Sequence, residues 1–248
     1  METNNPAFNN RIIAQERAHG FGDQMTIQGA INKTFVLLGV LLISGGWIWS
    51  KMFEATANKG SLEMYVWGGV IGGLIVGLVT TFVRKWAPYT APMYAICQGF
   101  ALGGISAIFE ATYQGIVIQA VGLTVGTLMC MLLAYKSGLI KATEKFKLGL
   151  VSAMGGLMFI FMLNWIMGFF GHRLAFLYSN GPVAIGFSVV VVIIAALSLV
   201  LDFDFIEQGA ASGMPKYMEW YSAFGLLVTL VWLYIEFLRL LSRLRDRR

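Results

Sequence analysis

Seven ionisable side chains lie within or beside long apolar runs of this 248-residue chain, and these are Arg84, Glu110, Asp202, Asp204, Glu207, Glu219 and Glu236. A charged side chain at membrane depth costs from about 2.5 kcal/mol upward, and it normally faces protein or water. Such residues are therefore the candidates for a site that handles protons or cations.

Two of these acids are expected to face the interior of a helical protein. At about 100° per residue, Asp202 shares a helix face with Ser188 and Ser198, whereas Asp204 points to the opposite side. Glu236 shares a face with the small and polar residues that precede it in the last apolar run. The pattern predicts a carboxyl pair, Asp202 and Glu236, that shares a proton and responds to pH near neutrality.

A structural interpretation of each acid stays open beside this one. An acid at a helix end can extend its charge to water, and this reading applies most readily to Asp204, Glu207 and Glu219, which lie in or beside an expected loop at residues 205–219. For Glu236, the arginine three residues later offers a local ion pair. Asp204, Glu219 and Glu110 are therefore secondary candidates.

The elements that must position these acids are set by composition. The chain is 57% hydrophobic and only 12% charged, with a mean hydropathy of +0.70, whereas soluble domains average about 25% charged residues. Seven apolar stretches each approach the ~20 residues that a helix needs to cross a membrane. They are residues 34–50, 64–83, 92–109, 115–135, 148–170, 182–201 and 220–241.

Because lipid offers no partner to an unpaired backbone group, these stretches must be helices. We predict an all-α polytopic membrane protein, a seven-transmembrane-helix bundle with the C-terminal helix at its centre, over residues 33–248. Pro92 and Pro182 are expected at helix starts. Residues 1–32 are predicted to form a polar cytoplasmic tail, and they lack the pattern of a signal peptide.

Small residues four apart predict close helix crossings, because they let backbones approach. Such spacings occur at Gly68/Gly72, Gly69/Gly73, Gly73/Gly77, Gly99/Gly103 and Gly122/Gly126. Contacts within the bundle are the expected use of these glycines.

The distribution of Lys and Arg favours a cytoplasmic N-terminus. One side of the predicted topology carries ten basic residues, namely Arg11, Arg17, Lys33, Arg84, Lys85, Lys136, Lys141, Lys145, Lys147 and Lys216. The other side carries three before the tail, namely Lys51, Lys59 and Arg173, and then the tail's Arg239, Arg243, Arg245, Arg247 and Arg248. Seven crossings would export those five arginines, whereas a re-entrant last segment would return them to the cytoplasm, and both topologies remain open.

Other function classes find little support. Cys97 and Cys130 both lie in apolar runs, which excludes a disulfide framework and a multi-cysteine zinc site. The basic residues flank apolar segments instead of forming a patch with interleaved aromatics, which argues against nucleic acid as a partner. His19 and His172 are isolated, and neither a metalloprotease motif nor a catalytic triad is present.

Four segments carry a family resemblance: LDFDFI at residues 201–206, LYIEFLRLL at 233–241, APYTAPMYA at 87–95 and GGIS at 103–106. With them the chain resembles the Bax inhibitor-1 family of membrane proteins with six or seven helices, and in particular a bacterial branch with a polar N-terminal extension. The resemblance covers roughly residues 25–245. It implies a multi-pass protein of the bacterial inner membrane.

The same resemblance implies roles for three residues. In that family an acid on the sixth helix and an acid on the seventh form a pH sensor that controls a calcium leak, and a basic residue on the second helix helps to latch it. By position, Asp202 and Glu236 match the two acids, and Arg84 is the best match for the basic residue.

We therefore expect a pH-sensitive calcium or cation leak gated by a buried acid pair, with no cofactor beyond a weakly bound calcium near Asp202 and Glu236. A non-channel regulator of a membrane-bound protease is the alternative. An intramembrane aspartyl protease would also need two acids, but its Gly-x-Gly-Asp context is absent, so we expect no enzymatic activity.

Overall fold

The computed structural model describes residues 24–54, 59–172, 174, 177, 179 and 181–247. These residues form seven long α-helices, and all seven are long and apolar enough to span a membrane. The helices are α1 (Ile27–Phe53), α2 (Lys59–Phe82), α3 (Ala87–Thr112), α4 (Ile116–Lys136), α5 (Glu144–Phe169), α6 (Pro182–Ala211) and α7 (Met218–Asp246). The prediction of an all-α seven-helix membrane protein is confirmed.

Five of the seven helices begin earlier than their apolar runs, and the starts of α1 and α3 change an expectation. α1 begins at Ile27, where the Thr26 side chain accepts a hydrogen bond from the Gly29 amide, so residues 27–32 form its first turns. α3 begins at Ala87, with Pro88 in its first turn, so Pro92 lies inside the helix and its expected position at the start is wrong. Residues 1–23, with Arg11, Arg17 and His19, and the single residues Arg173 and Arg248 lie outside the described residues.

The sixth helix is ten residues longer than its apolar run. α6 continues to Ala211 because its inward positions remain apolar, with Phe203 and Ile206 both buried. It ends just before Gly213, whose φ of 66° is the left-handed conformation that glycine adopts after helices. The expected loop at residues 205–219 is therefore wrong, and Asp204 and Glu207 lie on the helix.

The last helix occupies the centre of the bundle. α7 is the most buried of the seven spans, and it packs against α1, α3, α4 and α6. α5 lies at the periphery beside α6. The position of α7 places the acids of its inward face within protein.

Glycines produce the tight crossings at one side of the bundle. A Cβ atom on Gly103 of α3 would lie 2.9 Å from the Cα atom of Gly45 of α1, and one on Gly69 of α2 would lie 2.5 Å from the Cys97 carbonyl oxygen. In α4 the predicted close helix crossing is wrong. A Cβ atom on Gly122 or Gly126 would have no neighbour within 4 Å in the described part of the chain.

α7 crosses the whole bundle. At its start, Glu219 contacts the beginning of α1 through Thr26 and Lys33. At its end, Arg245 donates to the carbonyl oxygen of Gln114, which lies in the turn between α3 and α4, 2.8 Å away. α7 thus runs from one end of the bundle to the other without the re-entrant turn of the alternative topology, and Arg243 and Arg245 lie at the end opposite the start of α1.

Candidate functional site

The Asp202 carboxyl group lies inside the bundle at the contact between α6 and α7. Its Oδ2 atom is buried and has no hydrogen-bond partner among the described residues. A Cβ atom on Gly225 would lie 3.8 Å from Oδ1, and the Thr229 hydroxyl faces the carboxyl group. The neighbours described for this carboxyl group are thus uncharged residues of α7.

Hydroxyl groups on the two facing helices are largely engaged with their own backbones. Ser198 donates to the Ile194 carbonyl at 2.9 Å, and Thr229 lies 3.3 Å from the Gly225 carbonyl. A hydroxyl proton can serve one acceptor at a time. Ser188 and Ser198 of the predicted polar stripe are buried, yet the stripe supplies no hydrogen bond to the Oδ2 atom of Asp202.

Glu236 is also buried, with 3% of its surface exposed, but it has a charged partner. The Arg239 guanidinium donates to its Oε1 atom at 2.6 Å. Glu236 lies seven residues beyond Thr229 on α7, or about 10 Å further along the helix axis. Glu236 pairs with Arg239, whereas no charged partner of Asp202 occurs among the described residues, and the local ion pair foreseen as the alternative for Glu236 is present.

Arg84 lies at the end of the bundle where α7 begins. It starts a short 3₁₀ helix (Arg84–Trp86) between α2 and α3. Its guanidinium lies over the Tyr221 ring, 5.4 Å from the centroid, in a cation–π contact. The contacts described for Arg84 therefore connect it to the first turn of α7.

The secondary candidates have structural partners. Asp204 pairs with Lys147 of α5 at 2.9 Å and accepts from the Gln208 amide at 2.6 Å. Glu110 accepts from the backbone amides of Gly115 and Val117 at 2.5 and 3.1 Å, and so compensates the unpaired donors that begin α4.

Glu219 is the residue that sequence reasoning most undervalued. Its side chain is completely buried. It forms an ion pair with Lys33 and accepts from both the amide and the hydroxyl of Thr26, each at 2.9 Å. Lys216 lies 3.9 Å away. The carboxylate thus ties the start of α7 to the start of α1, and its placement beside an expected loop gave no hint of this.

The structural role of Arg243 was also not predicted, because in the sequence it is one of several arginines in a basic tail. It is 7% exposed and donates to the carbonyl oxygens of Ala184 and Leu177 and to the Ser188 hydroxyl, at 2.9, 2.5 and 2.5 Å. The side chain fixes the end of α7 to the start of α6. A basic residue at i+4 from Arg239 is the only trace of it in the sequence.

Metal ligands are sparse in this region. Across the described residues, no group of three or more His, Cys, Asp or Glu side chains is close enough to hold a metal ion. A cation that visits Asp202 would therefore meet one carboxyl group together with hydroxyl and carbonyl oxygens.

The fold and the site together define a multi-pass helical membrane protein in which the Asp202 carboxyl group of α6 faces the central helix α7. The sequence profile of a family described as Bax inhibitor 1 like matches residues 5–246 of the chain. The chain belongs to this family, and the resemblance noted in the sequence is confirmed. No curated protein and no solved structure matches the chain.

Proposed function

We propose that the protein is a pH-sensitive leak for calcium or other cations and that Asp202 is its titrating gate. The observation that carries the proposal is the buried Oδ2 atom of Asp202, which has no hydrogen-bond partner among the described residues. Intramembrane ionisable groups are rare, and they commonly mark ion pathways and proton relays.

The gating direction follows from the cost of a buried anion. A protonated Asp202 is neutral and compatible with the closed α6–α7 contact. Deprotonation at higher pH places an unpaired charge there, and the penalty for such a charge is several kcal/mol. A conformation that admits water or a cation to Asp202 relieves that penalty, so flux increases as the pH rises and decreases as it falls.

Glu236 and Arg84 take supporting roles in this proposal. Because Arg239 already compensates Glu236, repulsion between two anions contributes less than a pair of unpartnered acids would. Arg84 holds the 3₁₀ helix against Tyr221 and so stabilises the closed arrangement at the start of α7.

Calcium is a suitable cargo because hard cations prefer carboxylate and carbonyl oxygens. A single carboxyl group falls far short of the six to eight ligands of a tight calcium site. Weak binding during passage is what conduction requires.

We further propose an inner-membrane location with a cytoplasmic N-terminus. The lysines between α4 and α5 support it. Three of the tail arginines that oppose it have partners: Arg239, Arg243 and Arg245 donate to protein groups. Thiol labelling of single cysteines, placed in a Cys97→Ala and Cys130→Ala background, tests it: a cysteine at Lys141 should react only from inside the cell.

The function is tested by calcium flux into liposomes that hold the purified protein, measured between about pH 5 and 8, the range of physiological switching. Asp202→Asn should remove the pH response, whereas Asp204→Asn, on the opposite face, should preserve it. Equal effects of the two substitutions would contradict the role of Asp202. Absence of flux at every pH would favour the alternative, a regulator of a membrane protease.

A further inference from the structure

A cleft runs between α1 and α4, with α3 and α7 contributing to its floor. It consists of two cavities of about 370 and 760 Å³ that share Leu38 and Leu128 in their walls. The smaller cavity reaches Trp49 near the end of α1, and the larger one reaches Lys136 at the end of α4. Together they extend along most of the length of the helices.

The inner part of the cleft is suited to hydrocarbon. Apart from the indole of Trp49 at one end, its polar side chains are Ser106, Thr124 and Tyr234, and all three already form hydrogen bonds within the protein. Ser106 and Tyr234 hydrogen-bond to each other at 2.6 Å, and Thr124 donates to the Ala120 carbonyl at 2.8 Å. A water molecule needs two to four polar partners, so an apolar chain fits these walls better than water or an ion.

The cleft opens sideways towards the surrounding lipid. Phe35 and Leu42 on the α1 rim are 70% and 65% exposed, and Val125 and Met129 on the α4 rim are 53% and 52% exposed. These residues belong to membrane-spanning segments. A lipid chain can therefore enter from the membrane without crossing a polar barrier.

The wide end of the cleft carries unpaired positive charge. Lys136 and Lys141 line it and are exposed, and neither forms an ion pair with a described residue. Two acids of α6 line the same end without pairing with these lysines: Asp204 pairs with Lys147, and Glu207 accepts a hydrogen bond from the Tyr135 hydroxyl. The two lysines are thus available to an anionic group from outside the protein.

We propose that this cleft binds an anionic phospholipid, with its phosphate between Lys136 and Lys141 and one acyl chain along the α1–α4 groove. The lining extends along α4 from Lys136 to Val117, nineteen positions apart and about 28 Å at 1.5 Å per residue. That length exceeds half of the ~30 Å hydrocarbon core, which is the depth that one leaflet's acyl chain occupies. The apolar walls bind the acyl chain of the lipid, and the two lysines favour an anionic headgroup.

Native mass spectrometry of the full-length protein in detergent tests the headgroup site, with phosphatidylglycerol and phosphatidylcholine as the titrated lipids. The Lys136→Gln/Lys141→Gln double variant should lose most of the preference for phosphatidylglycerol, by up to about 30-fold at roughly 1 kcal/mol for each lysine. The control is Lys85→Gln/Lys145→Gln, which removes two exposed lysines that do not line the cleft. The control should keep the wild-type preference.

A second pair of variants tests the chain site. Val125→Trp should fill the groove and lower the retention of both lipids, whereas Ile118→Trp, 72% exposed on α4 and outside the lining, should bind as the wild type does. Unchanged headgroup preference in the lysine double variant would overturn the proposal, as would equal binding by the two tryptophan variants. Palmitate that competes as strongly as phosphatidylglycerol would overturn the choice of a phospholipid.

Discussion

Two buried carboxyl groups near the α6–α7 connection have opposite surroundings. Glu219, at the start of α7, is surrounded by an ion pair with Lys33 and two hydrogen bonds from Thr26. Asp202, further into the bundle, has a buried oxygen without a partner among the described residues. Glu219 is fully buried, and Asp202 is a half-buried residue whose Oδ2 atom is buried. The larger difference between the two acids is in their partners.

Glu219 therefore carries a charge that stabilises the fold, whereas Asp202 is an acid that can gain or lose a proton. Removing one member of a buried pair leaves an uncompensated charge and costs stability. Removing a buried group that lacks a charged partner leaves no other charge uncompensated, and it can even increase the free energy of unfolding. Stability and flux should therefore respond in opposite ways at the two acids.

The largest effect on stability is expected for Glu219→Gln. The glutamine preserves the shape but removes the charge that compensates Lys33, and the free energy of unfolding should fall by about 3 kcal/mol. Thermal unfolding in detergent, with Glu144→Gln as control, measures it, because the Glu144 side chain is 92% exposed. A fall no larger than that of the control would show that Glu219 is not a structural clamp.

Gly29→Ala should lower stability next most, by about 1–3 kcal/mol as for an overpacked core. The added Cβ atom would overlap the Glu219 carboxylate, whereas the same substitution at Gly39, in the same helix, meets nothing within 4 Å. Gly39→Ala should stabilise the protein by up to about 1 kcal/mol, since alanine favours helix. The two variants are compared by their unfolding midpoints, and equal shifts would mean that the α1–α7 contact is loose.

Asp202→Asn should change the free energy of unfolding by less than about 1 kcal/mol, because it replaces a group that lacks a charged partner. The same preparation should show the altered pH response in the liposome flux assay. A loss of stability as large as that of Glu219→Gln would place Asp202 among the structural acids and remove the contrast between them.

The smallest change is expected for Glu236→Gln. Because Arg239 already pairs with Glu236 and is 40% exposed, it can turn to water when the carboxylate is removed. The pH at half-maximal flux should stay near that of the wild type if Asp202 titrates alone. A flattened pH profile would instead support the shared-proton hypothesis, in which the two acids meet in a conformation other than this one.

The spacing of apolar and polar residues was sufficient to predict the membrane-spanning helices and the side of α6 and α7 that faces protein. The apolar runs predicted all seven helices. The 100° rotation directed Ser188, Ser198 and Glu236 inward, and all three are buried, whereas the Asp202 residue that it placed with them is half-buried. Helix ends were less well predicted: α6 extends to Ala211 because Phe203, Ile206 and Gly209 keep burying its inner side, although three acidic residues follow Leu201. Hydropathy averages over both sides and therefore ended the span too early.

The partners of each acid were decided only by the tertiary structure. Lys33 and Glu219 are 186 positions apart, and Arg243 reaches acceptors 55 to 66 positions away. Nothing in the spacing of such residues indicates contact. The composition and periodicity of the chain determined that it spans a membrane seven times and which side of each helix faces protein. The tight crossing of α1 and α3 depends on glycines of both helices, Gly45 and Gly103, whereas Gly122 has no such neighbour. The sequence does not reveal this difference, because close packing is a property of two surfaces together.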